Sequence, residues 1–371
     1  MIFEIKIMKS PIGYFSAITD PRVERTKEHL LSDIIFISIS AIICGAETWN
    51  DIEAYGKAKE DWLREYLQLK NGIPSHDTFN RFFSSIDSKE FETCFLNWIK
   101  DVTQITDGEV VSIDGKSIRG SKKYGSKAMV HMVSAWAQTN HMVLGQVKVN
   151  DKSNEITAIP KLLEVLAIKG CIVTIDAMGC QTEIAEKIIE KEADYVLAVK
   201  GNQGSLEQSI KDTLLLSKPV DVDETDDVGH GRVEKRICKV YTDLSHIENT
   251  ERWKKLKCIV VIQSTRHTKS TKQEQTETRF YISSANPNAK TLQLAIRRHW
   301  AIENNLHWTL DVAFNEDKST KTNENAVQNF SALNRIALNL ITNEKTKKRS
   351  VKGKRLDAGW DNDYILKILK N

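Results

Sequence analysis

The sequence predicts an α/β fold: a mixed sheet flanked by helices, preceded by an all-helical segment and interrupted late by a β-rich insertion. Three observations predict it. Two short β-branched runs, Val110-Val111-Ser112-Ile113-Asp114 and Ile172-Val173-Thr174-Ile175-Asp176, each close on one aspartate with Gly115 or Gly179 just behind. Runs that are apolar on both faces belong inside a sheet. Strand-like and helix-like stretches then alternate from residue 107 to about 216, the pattern of strands joined by crossover helices. Residues 20–105, in contrast, carry helical periodicity throughout.

The chain has 371 residues, more than one ordinary core needs. Hydrophobic residues make up 40% and charged residues 28%, the profile of a soluble globular protein. The longest apolar stretch, 34–44, falls well short of the roughly 20 residues that span a bilayer, and reads as a buried helix. Residues 1–9 lack a signal-peptide layout. The six cysteines are scattered without CxxC or zinc spacing, which suits reduced, packed thiols in a cytoplasmic protein. No GxxxxGK[ST] motif is present, so the sequence offers no ATP site. A net charge of +3 does not by itself announce a nucleic-acid partner.

Taken in order, residues 1–106 form a helical unit, with helices expected over 30–44, 49–58, 61–69, 78–84 and 91–103. Gly72 and Pro74 break this pattern, and Ser75 is placed to cap the helix that follows. Short helices with tight turns fit either a helix-turn-helix-like module or a plain packing unit. In the first case Lys57, Lys59, Arg64, Lys70 and Arg81 would meet phosphates. Residues 107–343 form the α/β unit. Strands are expected over 109–114, 129–138, 142–149, 171–176 and 195–199, with helices over 160–167, 182–191 and 205–216. The insertion occupies about 219–287. It opens on the acidic run Asp221, Asp223, Glu224, Asp226 and Asp227, followed by strands over 233–241, 259–266 and 278–284. Helices over 290–312 and 325–342 complete the unit, and residues 344–371 form a basic tail of the kind that lies against phosphate or in solvent.

Aspartates at the carboxyl ends of neighbouring strands sit where open α/β sheets place their ligands. Two carboxylates about 4 Å apart repel by roughly 4 kcal/mol at an effective dielectric of ~20, so such a pair calls for a cation or a proton. Oxygen-only donors suit Mg²⁺ or Mn²⁺. Glu303 is the third acid, at the edge of the apolar face formed by Leu292, His299, Leu306 and Leu310, with Asp311, Glu316 and Asp317 as positional rivals. His307, four residues on, fits either a structural hydrogen bond or a substrate contact. Lys200-Gly201-Asn202-Gln203 follows a strand at the same edge, where Lys200 and Gln203 could hold a DNA phosphate. The turn Gly229-His230-Gly231-Arg232 fits a backbone contact or a simple hairpin.

Several longer motifs then resemble one family. Ile73-Pro74-Ser75-His76-Asp77-Thr78-Phe79, Ile113-Asp114-Gly115-Lys116, Asp176-Ala177-Met178, and the run from Asp194 to Gln203 are similar to DDE transposases of the ISAs-type, H-repeat-associated group. The most specific match runs from His299-Trp300 through Glu303-Asn304, Leu306-His307-Trp308 and Leu310-Asp311-Val312 to Glu316-Asp317, and Asn334-Arg335 follows. The resemblance implies an RNase H-like catalytic core, with Asp114, Asp176 and Glu303 as the catalytic and metal-holding triad for two Mg²⁺ or Mn²⁺ ions. It also implies DNA cleavage and strand transfer at terminal inverted repeats, by a homodimer on DNA. Lys116, Lys200, Asn202, Gln203, Arg232, His307 and Lys321 are the corresponding candidate DNA contacts. Where the wider superfamily carries Tyr, Arg and Lys around its glutamate, this chain has Ile296, His299 and Leu310. A catalytically silent DNA-binding derivative and a nuclease that cuts without joining are the other readings.

Overall fold

The computed structural model describes residues 11–122, 129–149, 154–229, 232–268 and 273–370. Helices α1 (Pro11–Tyr14), α2 (Leu31–Ile43), α3 (Trp49–Ala58), α4 (Glu60–Leu63), α5 (His76–Ser85) and α6 (Ser88–Val102) precede the first strand. α2 is apolar almost all round and therefore lies inside, with Ile34, Ile35, Ile37, Ile39, Ile42 and Ile43 fully buried. Thr48 and Asp51 close a reciprocal capping box on α3, and the Ser75 hydroxyl caps α5 as its position predicts. The helix expected over 61–69 shortens to α4, because the chain turns back through positive φ angles at Leu69 (41°) and Gly72 (72°).

Strands β1 (Val110–Ile118), β2 (Val130–Ala137), β3 (Met142–Lys148), β4 (Ile172–Ile175), β5 (Asp194–Val199), β6 (Asp221–Gly229), β7 (Arg232–Tyr241), β8 (Cys258–Thr268) and β9 (Gln273–Ser283) make one mixed sheet, ordered β3-β2-β1-β4-β5-β9-β8-β7-β6. β1, β4 and β5 run parallel, while β2 and β3 on one side and β9 on the other run antiparallel to their neighbours. Helices α7 (Glu155–Val165), α8 (Thr182–Glu190) and α9 (Gly204–Leu216) follow β3, β4 and β5. α7 starts earlier than its proline suggests. Pro160 lies inside it, near enough to the start that only one early backbone hydrogen bond is forfeited.

The insertion is β-rich as expected, and two of its features go beyond the sequence reading. Its strands are not set apart from the sheet: β9 pairs with β5, Val196 opposite Ser283, and so extends the same layer. The acidic run is itself a strand, β6, whose residues alternate between exposed and half-buried. β7 supplies partners for its like charges, with Lys235 2.8 Å from Glu224 and Arg236 2.6 Å from Asp227. Asp221 also accepts the Ala289 N–H at 2.7 Å, which ties β6 to the next helix.

That helix, α10 (Ala289–His299), does not run unbroken to 312. A π-helical turn, Ile302–His307, separates it from α11 (Trp308–Ala313). Then come α12 (Glu324–Asn343), α13 (Val351–Trp360) and α14 (Asn362–Leu369). The expected basic tail is thus a pair of packed helices. The Arg355 guanidinium donates to the Ile42 carbonyl at 3.0 and 2.8 Å, and Lys354 donates to the Ile341 carbonyl at 3.1 Å. These cations serve carbonyls at helix C-termini, where the backbone dipole favours positive charge.

α12 is the centre of the packing. It lies against α2, α5 and α6 and also against β3, where the Asn339 side chain satisfies both the N–H and the C=O of Val143 at 2.9 Å. One apolar cluster runs from Phe15 through the sheet to Leu369, so the N-terminal helices share the core of the α/β unit. A close backbone approach pins the far end of β1: a Cβ on Gly120 would lie 2.0 Å from the Ser319 carbonyl oxygen. Gly120→Ala is therefore expected to cost roughly 1–3 kcal/mol, read as a lower urea midpoint at unchanged m-value.

Candidate active site

The register of β1 and β4 brings the two aspartates together. Val110 pairs with Ile172 and Ile113 with Ile175, so the next residues of the two parallel strands are Asp114 and Asp176. Asp176 leaves the strand in a turn closed on its own carboxylate, which accepts the N–H groups of Met178 (3.0 Å) and Gly179 (3.3 Å). The π-helical turn supplies the third acid. Ile302 and Leu306 are fully buried beneath it, and Glu303 is exposed at its surface. Asp114, Asp176 and Glu303 line one cavity of about 160 Å³, together with Thr174, Lys200, Arg279, Tyr281, His299 and Trp300. Among the described residues, no three His, Cys, Asp or Glu side chains are grouped closely enough to hold a metal ion. The cavity is a shared wall of carboxylates rather than a closed cage.

The electrostatics are those of acids lacking a counter-charge. Burial pushes the Asp114 carboxyl up to about 7; the Gly115 N–H opposes this, while Glu155, Asp176 and Glu303 add to it. Burial likewise raises Asp176, with Glu155 adding and the Lys200 ammonium opposing. His307 lies 3.6 Å from Asp114, and burial, helped by Arg335 and Lys116, lowers its pKa to about 3, so the imidazole is neutral at pH 7. The sign for stability follows from linkage. Asp114 titrates higher in the folded chain than at its unfolded value of about 3.9, so the stability of its protonated form is lost as pH rises through about 7. Asn is always neutral. The melting temperature of Asp114→Asn relative to wild type, in metal-free buffer, is expected to climb from about pH 4 to about pH 7 and to level off above.

The other sequence candidates divide. Lys200 is exposed and lines the cavity. Asn202 and Gln203 are used internally: their side-chain amides donate to the carbonyls of Ala177 (2.7 Å) and Cys180 (2.8 Å) and brace the loop after Asp176. Lys116 is buried among Asp311, Asp317 and Glu316, which outweigh its burial and hold its pKa above the usual lysine value. Lys321 is buried too, donating to the Glu47 carbonyl at 2.9 Å with its ammonium over the Phe330 ring. Neither of these two lysines presents its ammonium to a ligand. Arg232 opens β7 with its side chain outside the described residues, as are His230 and Gly231. Of the N-terminal cations, Lys57 and Arg64 pair with Glu53 and Glu60, whereas Lys70 and Arg81 are exposed.

Sequence inspection missed Glu155, a fourth acid close to the pair. His131 Nε2 holds its carboxylate at 2.7 Å, and Ser117 holds the other ring nitrogen at 2.8 Å. Gly115 makes this possible, since a Cβ there would sit 2.2 Å from Glu155 and 2.5 Å from His131. Arg279 and Tyr281 were also missed. Two-residue spacing on β9 puts them on one face, but only strand pairing shows that this face borders the cavity.

The family model described as "Transposase DDE domain" matches residues 101–340, and "DDE_Tnp_1-associated" matches residues 12–99. The chain belongs to the DDE transposase family. It is 44% identical to "Putative transposase YncI" of Escherichia coli O157:H7, over 98% of this chain and 95% of that one. It is 42% identical to "H repeat-associated putative transposase YhhI" of Escherichia coli (strain K12), over 98% of both. A shorter relative named "Inactive transposase YbfQ", also of strain K12, is 42% identical over 21% of this chain and 92% of its own. This DDE transposase is thus of the H-repeat type, and its two matched regions are the helical N-terminal segment and the α/β unit that carries the acidic cavity. Among the described residues no helix is long and apolar enough to cross a membrane.

Proposed function

We propose that this DDE transposase cuts and rejoins DNA at the ends of a mobile element, with Asp114, Asp176 and Glu303 as its catalytic carboxylates. The observation that carries the proposal is the register that sets Asp114 beside Asp176 on parallel strands, with Glu303 on the wall of the same cavity. The strand order β3-β2-β1-β4-β5, with only β2 reversed, supports an RNase H-like core extended by β6 to β9. An all-oxygen donor set with an upshifted carboxyl suits a hard divalent cation, and the three acids would hold two Mg²⁺ or Mn²⁺ ions. When bound, such ions supply an activated water and charge stabilisation at the leaving oxygen.

In the first step a water oxygen bonds to phosphorus, the P–O3′ bond breaks, and a free 3′-hydroxyl results. In the second, that 3′-oxygen attacks a phosphorus of target DNA and displaces a target 3′-oxygen. The half-buried aspartates hold the charge that draws the cations in, and neutral His307 borders Asp114 without competing for them. Lys200 and Arg279 lie where a phosphate backbone would approach. The chain acts as a homodimer on terminal inverted repeats, in the cytoplasm where its DNA is. The test is incubation of the purified chain with DNA carrying the element's ends in Mg²⁺. Nicks bearing 3′-hydroxyls and strand-transfer products are expected, with end binding that weakens as salt rises. Nicks without joining would mean a nuclease; binding with neither product would mean a silent derivative.

A further inference from the structure

Lys116 stands two residues beyond Asp114 on β1, so the two side chains leave one face of the sheet. Its ammonium lies 2.7 Å from Asp311, 2.9 Å from Asp317 and 3.7 Å from Glu316. Asp311 belongs to α11, which continues directly from the turn bearing Glu303. Glu316 and Asp317 lie in the 3-10 turn Glu316–Lys318, and Glu316 is paired in turn with Arg335 of α12 at 2.7 Å. One buried cation therefore ties the strand of Asp114 to the whole segment 302–318. An ammonium has three donors, and here three carboxylates surround it. Lys116, Arg335 and Arg119 face Asp311, Glu316 and Asp317, so the charges are matched and Lys116 has no spare ammonium for an entering phosphate.

We propose that Lys116 and Asp311 are positioning residues, a buried pin that holds the Glu303-bearing turn against β1 so that Glu303 faces Asp114 and Asp176. The pin rests on the functional reading of those three acids. Asp311 follows Glu303 by eight residues, about 12 Å of helix at 1.5 Å per residue, so loosening it tilts the turn without touching the cavity. The geometry assigns Lys116 no contact with DNA, against what its motif suggests.

The test uses the full chain, end DNA and four variants: Lys116→Met, Lys116→Arg, Asp311→Asn and the exchange Lys116→Asp with Asp311→Lys. Lys116→Met should bind ends with the wild-type salt slope, cleave ~100-fold more slowly, and need ~10-fold more Mg²⁺ for half-maximal rate. Lys116→Arg should recover most of both losses, and the exchange should outperform either single charge removal. Should Lys116→Met not fold, Asp311→Asn carries the same expectation, since the Asp311 side chain is 34% exposed and tolerates neutralisation better. A salt slope reduced by about one, the signature of a lost phosphate contact, or an unchanged Mg²⁺ requirement, overturns the pin. A wild type that cleaves beside an unimpaired Lys116→Met sinks the pin alone. A wild type that neither cleaves nor is stabilised by Mg²⁺ sinks the functional reading and the pin with it.

Discussion

Asp114→Asn is expected to abolish cleavage of element ends in Mg²⁺ while leaving end binding intact. The residue sits between β2 and β4, opposite Ser134 and beside Asp176. Asn keeps the shape and the acceptor oxygen but removes the charge that would draw cations into the cavity. A loss of at least about three decades in rate, ~4 kcal/mol at 1.36 kcal/mol per decade, is the expected size. Most substitutions at a buried site lose activity by loosening the fold. Here the reverse is expected: burial and neighbouring acids disfavour the Asp114 charge, so a neutral isostere is stable or stabilised at pH 8. Lost cleavage with a raised melting temperature would separate chemistry from folding. Cleavage retained at more than about a tenth of the wild-type rate would exclude Asp114 from the reaction.

The second large effect concerns stability. Arg335 is fully buried on α12, and its guanidinium donates to Glu316 at 2.7 Å and to the Ser331 carbonyl at 3.0 Å. Glu316 is 4% exposed, and its pKa lies below the ordinary value; burial opposes this, but Arg335 and Lys116 prevail. Removing one member of a buried pair strands the other charge, at about 3–5 kcal/mol. Arg335→Met is therefore expected to unfold in markedly less urea than wild type. Removing both charges at once, as Arg335→Met with Glu316→Gln, should recover part of the loss, because no anion is then stranded and Lys116 keeps Asp311 and Asp317 as partners. Additive losses in the double variant would show that the two side chains act independently.

How much was legible in the sequence depended on the range of the cause. The strands carrying Asp114 and Asp176 were found because β-branched runs are a local signal, but β1 continues past Asp114 to Ile118, since its pairing with β2 carries it on and no local residue marks that partner. Ser75 as a helix cap was equally local. The side of this helical segment that faces the sheet came from angular spacing alone: Leu292, Leu306 and Leu310 on the apolar stripe are fully buried, and half-buried His299 is bonded to Thr174 at 3.1 Å. The misreadings share one origin. Lys116, Lys321, Lys354 and Arg355 looked like phosphate contacts because a cation in a sequence gives no sign of its partner. Their partners are Asp311, Asp317 and the carbonyls of Glu47, Ile341 and Ile42, each at least ten residues away in the chain. The acidic strand β6 was hidden for the same reason, since its neutralising charges lie on β7.

The sequence by itself marked which groups could do chemistry, the candidate acids and the family, and placed Asp176 just past its strand, whereas Asp114 proves to lie in the middle of β1. Those marks follow from residue type and periodicity within a few positions. Tertiary structure decided which charges remain available. Pairing across strands and burial against helices neutralised some cations and left Lys200 open at the cavity. The π-helical turn put Glu303 on the wall of the cavity that the aspartates line, and His131 drew Glu155 in near them. A charge acts only through what surrounds it, and in a folded chain most of those surroundings come from distant residues.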